Sequence, residues 1–274
     1  GSGTEADNLA IKGLFWKSGK KVIVISAFEH KAVLEPAEWL VEKEGAELIQ
    51  IPITRDGIID LDFLKDLVAK RGSEIALISV MHSNNEIGAL QPISDIAAIA
   101  REYQIPIHSD AVQSFGKVPL NFSELGIDAM TISGHKIGGP LGVAALVAKK
   151  NLELTPLLHG GGQEREVRSG TLHTPAIAAF ATAAEIAQTR LNENAIRIRA
   201  LREKLIAGVL RAVPEVRLNG GANTLPGIAH FTFAGAEGDA LLLLLDAQGV
   251  QCSTGSACSA GIAQPSHVLL AMGM

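Results

Sequence analysis

Apolar positions in the first half of the chain follow two alternating patterns. Runs at Lys21–Ala27, Ala46–Ile53, Glu74–Val80, Ile105–Ser109, Asp128–Ser133 and Val143–Ala148 are short and rich in β-branched residues, which predicts strands. Between them, Leu34–Glu44, Leu61–Lys70 with Asp60 as its N-cap, and Ser94–Tyr103 repeat apolar residues every three or four positions, which predicts helices. Alternation of this kind predicts an α/β fold with a mostly parallel sheet covered by helices on both faces.

After Gly160–Gly162 the texture changes. The Ala-rich Pro175–Arg190 and the following Asn194–Ala212 predict two helices. Strand candidates thin to Ile228–Phe233 and Val250–Cys252, separated by the helical Gly238–Gln248. We therefore expect a large α/β domain over residues 1–192 and a smaller α+β domain over residues 193–274. No internal repeat or low-complexity tract interrupts this organisation.

With 274 residues, 47% of them hydrophobic, the chain can bury a substantial core. Its net charge is −5 and its Lys and Arg are scattered, so it carries no basic footprint for direct binding to nucleic acid or to an anionic membrane. A small molecule or a folded protein is the expected partner. The longest strongly apolar run, Ala240–Leu245, is far too short to cross a bilayer. Two cysteines exclude a disulfide framework and, with no signal-peptide pattern at the start, predict a reducing, cytoplasmic setting. The chain opens in what reads as a phosphate loop and stops inside a helical pattern, so it reads as truncated at both ends.

Gly1-Ser2-Gly3-Thr4 leads into the helical Glu5–Leu14, where free N–H groups and the helix dipole can hold a phosphate. Thr4 with Asp7 three residues on reads equally as a capping box. Asp110 and the Gly134-His135-Lys136 triplet each follow an apolar strand, placing an acid and an amine where open α/β sheets bind ligands. That pairing suits pyridoxal phosphate: a lysine forms a Schiff base with the aldehyde, and a carboxylate keeps the ring nitrogen protonated. A structural ion pair is the alternative.

His30, just past a strand, could stack on a planar cofactor or shuttle a proton, or be an ordinary loop residue. Asn85 could donate to a phenolic oxygen or simply belong to a turn. The small-residue run Ser253–Gly261 carries one thiol, Cys258, between a short strand and the helical Pro265–Met272. Such a loop lets a thiol enter a pocket and then meet a partner, although a cysteine taken alone can equally be an inert hydrophobe. Cys252, in the apolar strand Gly249–Cys252, is expected to be buried and inert. There is no Cys-x-x-Cys or His-Glu-x-x-His spacing for a metal, and no Gly-x-Ser-x-Gly for a serine hydrolase.

In order along the chain, Ser2-Gly3-Thr4-Glu5, Glu29-His30-Lys31-Ala32-Val33, His82-Ser83-Asn84-Asn85-Glu86-Ile87-Gly88, Asp110-Ala111-Val112-Gln113-Ser114, Ser133-Gly134-His135-Lys136, Arg168-Ser169-Gly170-Thr171 and Gly255-Ser256-Ala257-Cys258 resemble the cysteine desulfurases of the NifS/IscS type. These are class V aminotransferases of pyridoxal-phosphate fold type I, and the resemblance covers essentially the whole chain. Position by position, it implies that Lys136 holds the cofactor, Asp110 pairs with its pyridine nitrogen, and Asn85 and Gln113 bond its phenolic oxygen. His30 would stack on the ring, and Gly3, Thr4, Ser133 and His135 would hold the phosphate. Thr171 would come from the other subunit of a homodimer. His30 and Lys136 would carry protons, and Cys258 would accept sulfur.

The implied reaction converts L-cysteine to L-alanine with a persulfide left on the enzyme. That sulfur would feed a partner such as an iron–sulfur scaffold or a tRNA-thiolation enzyme. Metal binding is a further attribute the resemblance brings, although no spacing here supplies ligands. An aminotransferase or selenocysteine lyase of the same fold, or a non-catalytic sulfur-relay scaffold, are the competing readings. The family's substrate-gripping arginine would lie beyond the position of Met274, and an N-terminal segment would precede Gly1; neither is within this sequence.

Overall fold

The computed structural model describes residues 1–254 and 266–274. Six strands, β1 (Val22–Ser26), β2 (Glu47–Ile51), β3 (Ile75–Ser79), β4 (Ile107–Asp110), β5 (Ala129–Ser133) and β6 (Ala144–Ala148), form one sheet. Their order is β2-β1-β3-β4-β5-β6, with the first five parallel and β6 antiparallel to β5. Every residue of β1, β3, β4 and β5 is buried, as the aliphatic runs of β1 and β3 require when both faces are covered.

Alternate side chains of these strands feed two cores. On one face Val22, Val24, Ile75 and Ile78 pack with Leu64 and Val68 of α3 (Leu61–Arg71) and Ile93 and Ile96 of α4 (Ile93–Glu102). On the other, Ile23, Ile25 and Leu77 meet Ile11 and Phe15 of α1 (Gly3–Ser18) and Val33 and Leu40 of α2 (Lys31–Glu44). Asp60 caps α3 as expected, accepting from the N–H groups of Asp62 and Phe63.

A short α5 (Phe122–Leu125) precedes β5, and two long helices follow the sheet, α6 (Thr174–Thr189) and α7 (Leu191–Ala212). Then β7 (Val216–Asn219) pairs antiparallel with β8 (His230–Phe233) in a separate two-stranded sheet. The sequence pattern missed β7, whose four residues follow directly on Pro214 and on Glu215, a residue with φ of 57°. The expected domain boundary at residues 192 and 193 falls inside α7, one continuous helix.

The strand expected at Val250–Cys252 does not form. Helix α8 (Gly238–Ala247) ends with Gly249 at φ 75°, and the Val250 N–H bonds back to the Leu245 carbonyl. The segment thus closes a helix instead of extending beside a strand, and Cys252 is exposed rather than buried. The short α9 (His267–Ala271) drives Val268 and Met272 into a third cluster with Phe28, Met81 and Ile87. No helix among the described residues is long and apolar enough to cross a membrane.

Candidate active site

Because β1, β3, β4 and β5 run parallel, their carboxyl ends share one edge, and four loops leave from it. These loops carry Glu29-His30, His82 to Asn85, Asp110 to Gln113, and a 3-10 turn at Gly134–Ile137 with His135 and Lys136. Asp110 ends β4 in register with Thr131 of the adjoining β5, three residues before the turn that presents Lys136. The Asp110 carboxylate is buried, and Oδ1 accepts from the Val112 N–H at 2.8 Å, its one side-chain hydrogen bond among the described residues. Burial raises its pKa to about 6, against the opposing pull of the Val112 N–H and the Lys136 ammonium.

The charge of Lys136 is felt across the whole edge. It lowers the pKa of His30, after burial, and does the same to His135 and to Lys117. Lys117, half-buried, falls to about 8 and donates to Gln113 Oε1 at 2.9 Å. His30 caps α2, its Nδ1 accepting from the Ala32 N–H at 3.1 Å; that bond assigns the ring proton to Nε2. Asn85 lies beside Asn84, whose Oδ1 accepts from Glu86 and Ile87 in a tight turn.

The phosphate candidates converge as well. Helix α1 starts at Gly3 and is capped by Ser2, which accepts from the Glu5 N–H at 3.0 Å; Thr4 is inside the helix, so the Thr4–Asp7 capping box does not form. A Cβ added at Gly3 would stand 3.2 Å from Val112 Cγ2 and 3.7 Å from Ser133 Cβ, so this helix end sits directly against the loops after β4 and β5. Ser133 Oγ bonds His135 Nδ1 at 2.8 Å. Thr171 is exposed and makes no hydrogen bond to this group among the described residues. Arg168, in the same segment, is tied to α1 through Glu5 Oε1 at 2.7 Å. Cys258 lies outside the described residues.

Next to His30 and Asn85 opens a cavity of about 600 Å³, walled on its far side by Ile228, His230 and the exposed Cys252. Sequence reasoning passed over three buried groups beneath this edge: Asp7, Glu29 and His108. Glu29, fully buried, bonds the Ser26 hydroxyl and accepts from the Met81 N–H at 2.8 Å, and burial raises its pKa to about 8. Asp7 could have been found from its place among Ala6, Leu9 and Ala10, on the face of α1 that faces inward. No group of three His, Cys, Asp or Glu side chains among the described residues is placed to hold a metal ion, so the metal-binding attribute finds no ligands there.

The family model for "Aminotransferase class-V" matches residues 1–274. An IscS-like cysteine desulfurase of Mycobacterium tuberculosis is 49% identical over 279 residues, covering 99% of this chain and 71% of that protein. A solved NifS-like protein superposes with a TM-score of 0.90 at 34% identity, over 99% of this chain and 71% of its own. The structure described as SspA in complex with cysteine gives a TM-score of 0.82 at 34% identity, over 100% of this chain and 76% of that one. With a family match along its full length and close to half its residues shared with one such enzyme, this chain belongs to the class-V aminotransferases, in their NifS/IscS branch of cysteine desulfurases.

Proposed function

We propose that the edge formed by Asp110, Lys136 and His30 takes up pyridoxal phosphate and removes sulfur from L-cysteine. One observation carries the reading: the buried Asp110 carboxylate ends β4 in register with Thr131, three residues before the turn that presents Lys136, and the first turn of α1 packs against the same two strand ends. The residues present fit the group. A buried carboxylate with a spare oxygen suits a protonated ring nitrogen, and a helix end closed in by Val112 and Ser133 suits a phosphate.

Lys136 would hold the cofactor, Asp110 its ring nitrogen, and Asn85 and Gln113 its phenolic oxygen. Gly3, Thr4, Ser133 and His135 would take the phosphate. When bound, pyridoxal phosphate withdraws electrons from the substrate Cα and so weakens the Cβ–S bond. Lys136 would also serve as the base that moves the α-proton. His30 is held neutral with its proton on Nε2, so it presents a flat face and one donor without adding a second cation. The Cys258 thiolate would attack the substrate sulfur; as the S–S bond forms the Cβ–S bond breaks, its electron pair stays with Cβ and takes up a proton there, and the product leaves as alanine with a persulfide on the enzyme.

Cys258 takes this role from its Gly255-Ser256-Ala257-Cys258 motif. The persulfide would pass to an acceptor protein, an iron–sulfur scaffold or a thiolation enzyme, in a cytoplasmic setting. A homodimer would bring in Thr171 from the neighbouring subunit. The test is alanine and sulfide release from L-cysteine under a reductant. Cys258→Ala should keep the cofactor's visible absorption and lose sulfide release by at least about a hundredfold. Full activity in that variant would remove Cys258 from the mechanism.

A further inference from the structure

Beneath Asp110 lies a second carboxyl that the proposed chemistry does not use. Asp7, on the inward face of α1, is 1% exposed, and its Oδ1 has no hydrogen-bond partner. The one nitrogen base within 4.0 Å among the described residues is His108 Nε2, at 3.6 Å and fully buried. His108 is already engaged, with Nδ1 on Ser79 Oγ at 2.8 Å and Nε2 near Thr131 Oγ1 at 3.0 Å. His108 and Asp110 are two residues apart on β4, so both side chains share the sheet face on which α1 rests.

Three titratable groups act on Asp7, Asp110 and His108 from β4 and Glu29 from the loop after β1, with the Thr131 hydroxyl opposing the effect of burial and the charge of Lys136 felt at Asp110. A carboxylate sealed in this position with neither a cation nor a donor on Oδ1 would be an uncompensated buried charge. Its ionisation would also oppose that of Asp110, since two adjoining buried carboxyls resist sharing two negative charges. Burial, then the field of Asp110, favours the protonated form of Asp7, while burial holds His108 neutral.

We propose that Asp7 is a positioning residue of the cofactor site: a protonated carboxylic acid that keeps the His108–Thr131 row packed under Asp110 and leaves the pair's single negative charge on Asp110. The inference rests on the assignment of Asp110 to the ring nitrogen. Its function is to be polar and neutral, so asparagine can replace it and alanine cannot.

The test has two readouts on the full chain. Infrared spectra of the cofactor-free protein at about pH 8, above the value of about 6 for Asp110, should show a protonated-carboxyl stretch. Carboxyl-labelled aspartate should shift one component of that band, and label confined to glutamate should shift only the component from Glu29, itself about half protonated near pH 8, which separates the two. Visible absorption then follows retention of pyridoxal phosphate: Asp7→Ala should lose about tenfold in affinity, and Asp7→Asn should recover to within about threefold of the parent.

The absence of an aspartate-dependent band would overturn the proposal even if no variant folds. So would Asp7→Asn binding no better than Asp7→Ala, or equal retention in all three proteins. Asp110→Asn gives the control. If it leaves the cofactor spectrum unchanged, the site assignment fails along with the positioning role, whereas a lost infrared band with a normal Asp110 response refutes Asp7 alone.

Discussion

Glu29 shows what a single buried acid contributes. Its pKa is about 8 in the folded protein, against the ordinary carboxylate value of 4.5. Between those two values the folded chain keeps a proton that the unfolded chain has released. Stability is therefore greatest below the lower value, declines as pH rises through the window, and is level above it. Glu29→Gln keeps its Oε1 as acceptor for both the Met81 N–H and the Ser26 hydroxyl, but has no proton to lose. Its stability relative to the parent should rise with pH between about 5 and 8, by up to about 1.4 kcal/mol per unit. Urea melts across that range measure it; parallel curves for the two proteins would show that Glu29 ionises freely. The positions of Asp110 and Lys136 were legible because charged residues directly after apolar strands stand out. Glu29 and Asp7 were not, because an acid in a helix or loop carries no mark of its burial until the chain is folded.

Single elements were read with uneven success, and the reasons are physical. The strand runs at Lys21–Ala27 and Glu74–Val80 each enclose an observed strand, since strands covered on both faces must be apolar at every position. The Val250–Cys252 run sets apolar residues either side of Gln251, yet the Val250 N–H serves the end of α8. Three residues are too few to distinguish the two fates. At α1, both Ser2 and Thr4 could cap, and the contact of Gly3 with Val112 and Ser133 puts the first turn at Gly3. That packing makes a prediction: Gly3→Val would push α1 away from the loop after β5. Cofactor affinity should fall about tenfold, about 1.4 kcal/mol, as read by titrating the visible absorption. Unchanged affinity would mean that the helix end plays no part in holding phosphate.

At the scale of the whole molecule, Thr171 is the residue that one chain does not connect to the Gly3, Ser133 and His135 group. Its segment is nonetheless fixed from one side, because Arg168 is anchored to Glu5 at the start of α1. If Thr171 serves a neighbouring subunit, Thr171→Ala and Lys136→Ala homodimers should each have greatly reduced activity. Dimers carrying one chain of each kind should regain part of it, since one of their two sites is then intact. Mixing and re-equilibrating the variants, with light scattering to follow assembly, measures this; absence of any recovery would place Thr171 with its own chain or outside the site. The parallel sheet and its helices followed from the alternating pattern. Of the antiparallel pair, β8 lies within the expected Ile228–Phe233 run, whereas β7 did not follow, because its four residues leave too little periodicity to read.

The exposure of Cys252 has a practical outcome for any sulfur assay. The chain has two thiols, and an alkylating tag will mark this outward-facing one whether or not the enzyme has turned over. Mass increments per chain would then mix a bystander with the sulfur carrier. Cys252→Ser gives a protein whose every tagged sulfur belongs to position 258, so one extra sulfur in the mass of the tagged chain can be assigned to that position alone.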